Sequence, residues 1–172
     1  MNQKHHQNEC KCAACEGSIE QTLADQKRMI EQHGWVAHYL TELDPSSPTG
    51  CNAHTHGVSD NLQHLDFQCV IPLPPEMMHS IFTTLVDRVK SGEKFEAGSR
   101  YSKIIRNFDV TFIEAVEGGR TVLRIIFPSP NGSLDPLTMD KDAASRSFRE
   151  QFGVTDHTIE GGFNLTKGDS HA

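Results

Sequence analysis

The sequence Phe108-Asp-Val-Thr-Phe-Ile-Glu-Ala-Val-Glu-Gly-Gly-Arg-Thr-Val-Leu-Arg-Ile-Ile-Phe127 decides the fold. Both halves of this stretch are rich in β-branched and aromatic residues, which favour strands. Between the halves, the paired glycines of Glu117-Gly-Gly-Arg120 supply the positive φ angles that a tight hairpin turn requires. The stretch therefore predicts an antiparallel hairpin with strands at 108–116 and 121–127.

The residues before this hairpin predict two helices. Ser18 and Gln21 fit a capping box, and apolar residues at helical spacing continue the helix over 18–33 until Gly34 ends it. The second helix opens at Pro74-Pro75, carries a regular apolar face and ends at Gly92. Both helices have one apolar side, so we expect them to pack on a sheet.

Short aromatic and β-branched runs predict the other strands, at 35–43, 53–58 and 66–71, and the last two form a second hairpin. A third, shorter helix is predicted over 140–151. The expected fold class is α+β, with an antiparallel-dominated sheet of about five strands packed against two to three helices.

Polar segments flank the predicted domain on both sides. Residues 1–17 are rich in Cys and His and lack hydrophobic periodicity, and residues 153–172 are rich in glycine with few apolar side chains. We therefore expect a single α+β domain over 18–152, between an N-terminal arm and a C-terminal tail.

Composition restricts the classes of partner. Of the 172 residues, 16 are Lys or Arg and 23 are Asp or Glu, which gives a net charge of −7. An acidic balance with scattered basic residues argues against nucleic acid or an anionic membrane as the partner. No apolar run approaches the roughly 20 residues that span a bilayer, and the start of the chain lacks a signal-peptide core. We expect a cytoplasmic protein.

The order of four segments resembles a known family. A Cys cluster precedes the first helix, His33-Gly34-Trp35 ends that helix, and Ala53-His-Thr-His-Gly-Val58 and Phe67-Gln-Cys-Val-Ile-Pro-Leu73 follow. Over roughly residues 10–130 the chain resembles the bacterial proteins grouped as domain of unknown function 4262 (DUF4262). The resemblance implies a shared fold and a bacterial cytosolic origin, and it supplies no activity.

A histidine pair is the first candidate site. Side chains two residues apart on a strand point to the same face, about 6.6 Å apart along the strand, so His54 and His56 are candidate ligands of one metal ion. The available third ligands are His64, Asp60 and Asp66. Glu42 and Glu114 are the candidate general bases for a reaction at this site. The alternative is that both imidazoles only hydrogen-bond the backbone or solvent.

A cysteine cluster is the second candidate site. Cys10, Cys12 and Cys15 have the spacing of thiolate ligands for a structural zinc or another divalent transition metal, with Cys51, Cys69 or a histidine as the fourth ligand. The alternative is a set of reduced thiols on the N-terminal arm. A disulfide framework is not expected, because five cysteines is an odd number and no export signal is present.

Two classes of function remain open. One is a non-catalytic binding module, with or without a stabilising metal, that recognises a protein partner. The other is a metal-dependent hydrolase that uses His54 and His56. No Gly-x-Ser-x-Gly motif is present, so serine hydrolase chemistry has no support. The sequence leaves the oligomeric state open.

Overall fold

A computed structural model describes residues 13–40 and 47–153, with side chains from residue 21 onward. Four helices and six strands make up this part of the chain. In chain order they are α1 (Ala13–His33), β1 (Val36–Leu40), β2 (Asn52–His56), α2 (Val58–Leu62), β3 (Phe67–Cys69), α3 (Pro75–Lys90), β4 (Arg100–Ile105), β5 (Phe108–Glu117), β6 (Arg120–Ile126) and α4 (Arg146–Glu150).

The six strands form one sheet in the order β1-β2-β3-β6-β5-β4. Strands β1 to β3 are a first antiparallel meander, and strands β4 to β6 are a second one. The two meanders meet along β3 and β6, which run parallel. The predicted α+β class and the predominantly antiparallel sheet are confirmed.

The predicted hairpins are present with small changes of boundary. Strands β5 and β6 pair from Glu117 opposite Arg120 to Thr111 opposite Ile126. Strands β2 and β3 pair antiparallel, and the short helix α2 lies in the connection between them. Strand β4 is an addition to the predicted elements, because Arg100-Tyr-Ser-Lys-Ile-Ile105 is largely polar and its register shifts along the sheet edge.

Helix boundaries also differ from the prediction. Helix α1 begins at Ala13, inside the segment expected as an arm, and α4 covers only Arg146–Glu150 of the predicted 140–151. Of the expected tail, 153–172, only Gly153 is described, and residues 154–172 lie outside the described residues. None of the helices in the described ranges is long and apolar enough to cross a membrane.

The core lies between α3 and one face of the sheet. Helix α3 buries most of the apolar residues that its spacing predicted, among them Met78, Phe82 and Leu85, but Met77 is exposed. Phe67, Phe112 and other apolar side chains of the sheet pack against them. Each fully buried side chain of this size contributes about 2–3 kcal/mol of transfer free energy, so this face anchors the fold.

The opposite face of the sheet carries a row of polar residues. Side chains alternate along each strand, so residues next to the core-facing ones point away from α3. The registers align His38 with His54, His54 with Gln68, and Gln68 with Arg124. One line of polar side chains therefore runs across β1, β2, β3 and β6.

Candidate metal centre

Three histidines form a cluster on this polar face. His38 of β1 lies opposite His54 of β2, and His56 follows on the same face one strand repeat later. The ring centroids are 5.5 Å apart for His38 and His54, 4.6 Å for His38 and His56, and 4.9 Å for His54 and His56. The register of the β1–β2 pair is therefore what brings the third imidazole to the predicted pair.

The nitrogen atoms of this cluster are close enough to share an ion. One ring nitrogen from each of His38, His54 and His56 lies within 4.8 Å of the others. Nitrogen ligands of one tetrahedral zinc are about 3.3 Å apart, because each metal–nitrogen bond is about 2.0–2.1 Å. His38 and His56 are only half-buried, whereas His54 is buried.

Burial keeps two of these imidazoles neutral. The pKa of His56 is lowered to about 4, mainly by burial and further by the positive charge of Arg120. Burial also lowers the pKa of His38, with Glu117 acting in the opposite direction. A neutral imidazole retains the lone pair that binds a metal, so these rings are in the ligand form at neutral pH.

A carboxylate lies beside His54 at the edge of the cluster. Oε1 of Glu117 lies 3.5 Å from Nε2 of His54, close to the separation of two ligands on one ion. Oε2 of the same carboxylate accepts hydrogen bonds from Nε and Nη2 of Arg120, at 3.0 Å and 2.9 Å. Arg120 therefore orients Glu117 so that one oxygen faces the histidines.

Asp66, a predicted ligand, is instead committed to hydrogen bonds that join the two meanders. It accepts from the Thr55 hydroxyl at 2.7 Å, the Val58 backbone N–H at 3.1 Å, the Ser59 hydroxyl at 2.9 Å and Nη1 of Arg120 at 2.8 Å. Both carboxylate oxygens of this buried residue are occupied. The structure does not bring Asp66 into the histidine cluster.

His64, the other predicted ligand, also lies elsewhere. Its Nδ1 donates to the carbonyl of Leu65 at 2.8 Å, and its Nε2 accepts from the backbone N–H of Phe95 at 3.0 Å. The ring packs against Phe67 and Phe95 on the core side. Both nitrogens of His64 are engaged by the backbone, and the bond from Phe95 ties the loop before β4 to the residues before β3.

The other sequence candidates also lie away from the cluster. Asp60 is exposed on α2, and Glu114 is exposed on β5 opposite Leu123, on the face that carries the core. Glu42 and the side chains of Cys10, Cys12 and Cys15 fall outside the described residues.

Cys51 and Cys69 are buried, reduced thiols, both directed at the carbonyl of Ile71 at 3.8 Å and 3.7 Å. Burial raises the pKa of the Cys69 thiol, which disfavours the thiolate that a metal requires. Neither cysteine is part of the histidine cluster among the described residues.

Sequence reasoning missed His38 and Glu117. His38 can be recognised as a site residue only when the register of strand 35–43 against strand 53–58 is known. A register shift of one residue between these strands would place its side chain on the other face of the sheet. Glu117 belongs to a predicted turn, and its position beside His54 depends on the parallel contact between β3 and β6. Long-range pairing of strands therefore completes the cluster.

The fold and the site define an α+β domain with a histidine cluster on the face of its sheet opposite α3. Residues 29–133 match the family described as Domain of unknown function (DUF4262), and this match covers more than half of the chain. The protein belongs to the DUF4262 family, as the resemblance predicted. The matched range includes all six strands and the whole cluster. No curated protein and no solved structure matches the chain.

Proposed function

We propose that this protein binds one divalent transition metal ion through His38, His54 and His56, with Glu117 as the carboxylate beside it. The observation that carries the proposal is the convergence of three imidazole nitrogens within 4.8 Å. The carboxylate of Glu117, oriented by Arg120, places a negative charge beside His54 of this group.

The donor set favours metals that bind imidazole. Neutral imidazoles suit zinc, iron, nickel and copper, whereas magnesium and calcium prefer sites made of oxygen atoms. Three neutral imidazoles do not change the charge of a divalent ion, and the carboxylate of Glu117 cancels one of its two positive charges. Such an ion polarises a further ligand, because part of its charge remains uncompensated.

Metal-dependent hydrolysis is the second candidate function, and the partial exposure of the cluster supports it. His38 and His56 are only half-buried, so an ion held there has a side open to solvent where water can bind. Structural zinc sites usually have four protein ligands and no open position, whereas three imidazoles converge here and Glu117 lies beside one of them. The non-catalytic alternative is a module that binds a protein partner and is stabilised by the metal. It requires an ion that exchanges slowly and raises the free energy of unfolding.

Metal content tests the proposal directly. The protein is prepared without a histidine tag and with Cys10, Cys12 and Cys15 replaced by serine, so that any ion measured belongs to the remaining residues. After reconstitution with Zn²⁺ or Co²⁺ and removal of excess metal, elemental analysis should give one ion per chain. The His54→Ala variant should retain none.

The matched control is His33→Ala, because His33 is an exposed histidine at the end of α1. This variant should bind the ion as the parent does. Absence of bound metal in the parent, or equal metal content in the His54→Ala and His33→Ala variants, would refute the proposed site. Release of product from a panel of ester and phosphoester substrates, lost in His54→Ala, would then separate the hydrolase from the binding module.

A further inference from the structure

A buried row of polar side chains connects His54 on β2 to Arg124 on β6 along one face of the sheet. Asn52, His54, Gln68 and Arg124 are all less than 5% exposed. Nε of Arg124 donates to Oε1 of Gln68 at 2.8 Å, and Nε2 of Gln68 donates to Oδ1 of Asn52 at 3.0 Å. The same Oδ1 lies 3.2 Å from Nδ1 of His54. We call these four residues the polar row.

The directions of these three hydrogen bonds follow from Arg124. A guanidinium only donates, so Gln68 must present its carbonyl oxygen to Arg124 and its amino group to Asn52. Asn52 then offers an acceptor oxygen to His54, and Nδ1 of His54 must be the donor. A neutral imidazole with its hydrogen on Nδ1 has its lone pair on Nε2, the atom that faces Glu117.

The other end of the polar row is held by the segment around α4. Nη1 of Arg124 donates to the backbone carbonyls of Gln151 and Gly153. The buried side chain of Gln151 pairs with both the N–H and the carbonyl of Phe127, at 2.9 Å and 2.8 Å. Residues 146–153 are therefore docked at the end of β6, where their carbonyls compensate the buried charge of Arg124.

We propose that the polar row positions His54 for metal binding, and that it couples metal affinity to the docking of residues 146–153. This inference rests on the proposed metal function. Hydrogen-bond partners of a metal-binding histidine fix its tautomer and ring orientation, and their loss typically weakens metal binding by about 10–100-fold. Because binding free energies are reciprocal, the bound ion must in turn stabilise the docked segment.

The Gln68→Glu variant tests the positioning role, because a purely structural role of Gln68 predicts no change in the tautomer of His54. A carboxylate at this position still accepts from Arg124 but no longer donates to Asn52. The Asn52 amide must then turn its amino group toward the new carboxylate, and the second hydrogen of that amino group is presented to His54. Nδ1 of His54 becomes the acceptor, and its hydrogen moves to Nε2.

The tautomer is measured in metal-free protein by ¹⁵N NMR of the imidazole nitrogens. The parent should carry its hydrogen on Nδ1 of His54, and Gln68→Glu should carry it on Nε2. A parent with the hydrogen on Nε2, or the same tautomer in both proteins, would overturn the inference. This measurement needs no ion, so it separates failure of the polar row from failure of the proposed metal site.

Metal affinity is measured next by Co²⁺ titration with absorbance detection. Gln68→Glu and Gln151→Ala should each bind Co²⁺ about 10–100-fold more weakly than the parent. Gln32→Glu is the matched control, because Gln32 is exposed on α1, and it should bind as the parent does. Parent-like affinity in folded Gln68→Glu would overturn the positioning role. Parent-like affinity in folded Gln151→Ala would overturn the coupling to residues 146–153.

Reciprocity gives an additional readout in the parent protein. Saturating Zn²⁺ should slow amide hydrogen exchange in residues 146–153, and Gln68→Glu should abolish that effect. Unchanged exchange in a parent that binds Zn²⁺ would contradict the coupling. A parent that binds no Zn²⁺ but shows the Nδ1 tautomer would refute the metal function and leave the orientation of His54 by the polar row intact.

Discussion

Arg120 binds one carboxylate oxygen of Glu117 across the turn between β5 and β6, through Nε at 3.0 Å and Nη2 at 2.9 Å. The same guanidinium donates to Asp66 and to the backbone carbonyl of Thr55 in the first meander. One side chain therefore sets the direction of the carboxylate beside His54 and also joins the two meanders.

Replacing Arg120 by Met should weaken metal binding. Without the guanidinium, Glu117 loses the two bonds that hold Oε2, and its other oxygen is no longer directed at His54. We expect metal affinity to fall by about 10-fold or more, measured by competition with a chromophoric chelator. Arg106→Met, at an exposed position between β4 and β5, is the control and should leave affinity unchanged. Equal affinity in the two variants would show that Arg120 has no part in the site.

His64 and Asp66 should be required for stability and not for metal content. Asp66→Asn removes the charge that pairs with Arg120 and disturbs four hydrogen bonds, so we expect a loss of about 2–4 kcal/mol in unfolding free energy. His64→Ala leaves two backbone groups without their present partner and should cost about 1–3 kcal/mol. Urea denaturation and elemental analysis measure both properties.

Asp60→Asn is the matched control for Asp66→Asn, because Asp60 is exposed on α2. It should alter neither stability nor metal content. Loss of the ion from folded His64→Ala or Asp66→Asn would return these residues to the metal site and contradict the geometry.

Gly57 should tolerate no side chain. Its φ is +93°, and a Cβ there would lie 2.9 Å from the carbonyl oxygen of Gly34 and 3.1 Å from Cγ2 of Ile30. Gly92 has almost the same φ, +94°, with no atom near the added Cβ. Gly92→Ala should therefore cost about 1 kcal/mol from backbone strain, and Gly57→Ala should cost at least about 1 kcal/mol more from the clash. Equal losses in thermal or urea unfolding would contradict this close approach.

The metal-free protein should lose stability as the pH falls from about 6.5 to about 4. The pKa of His56 is about 4 in the folded chain and 6.5 when burial is removed, so only the unfolded chain gains a proton there over this range. The lowered pKa of His38 acts in the same direction. Above pH 6.5 both states are neutral at His56, and this contribution disappears.

The His56→Gln variant should show a shallower loss of unfolding free energy over this pH range, measured by urea titration with chelator present. His33→Gln, at the exposed end of α1, is the matched control and should follow the parent. A pH dependence in His56→Gln as steep as that of the parent would show that His56 does not contribute to it.

Local chemistry is sufficient to predict most of the fold. The apolar face of α3 and the Gly118-Gly119 turn are signals contained in short stretches of sequence. The structure has the helix and the hairpin where these signals indicated them. Strand β4 escapes prediction because its stability comes from pairing with β5 rather than from its own residues. The parallel contact of β3 with β6 has no local signal, since it joins strands that are far apart in sequence.

The candidate site is less accessible to sequence reasoning for the same reason. His54 and His56 share a strand, so strand alternation alone places them together. His38 requires the register of another strand, and Glu117 requires the arrangement of both meanders. His64 and Asp66 are close in sequence and have suitable chemistry, but their hydrogen bonds to the backbone and to Arg120 direct them elsewhere.

The parallel seam between β3 and β6 also has a consequence for the order of folding. Each meander pairs neighbouring strands and closes short loops, whereas joining the meanders requires closure of the long segment that contains α3, β4 and β5. The histidines come from the first meander, and Glu117 and Arg120 come from the second. A nascent or partly refolded chain that has formed only the first meander therefore holds the three imidazoles without the carboxylate of Glu117 beside His54, and the contact of β3 with β6 brings that carboxylate to them.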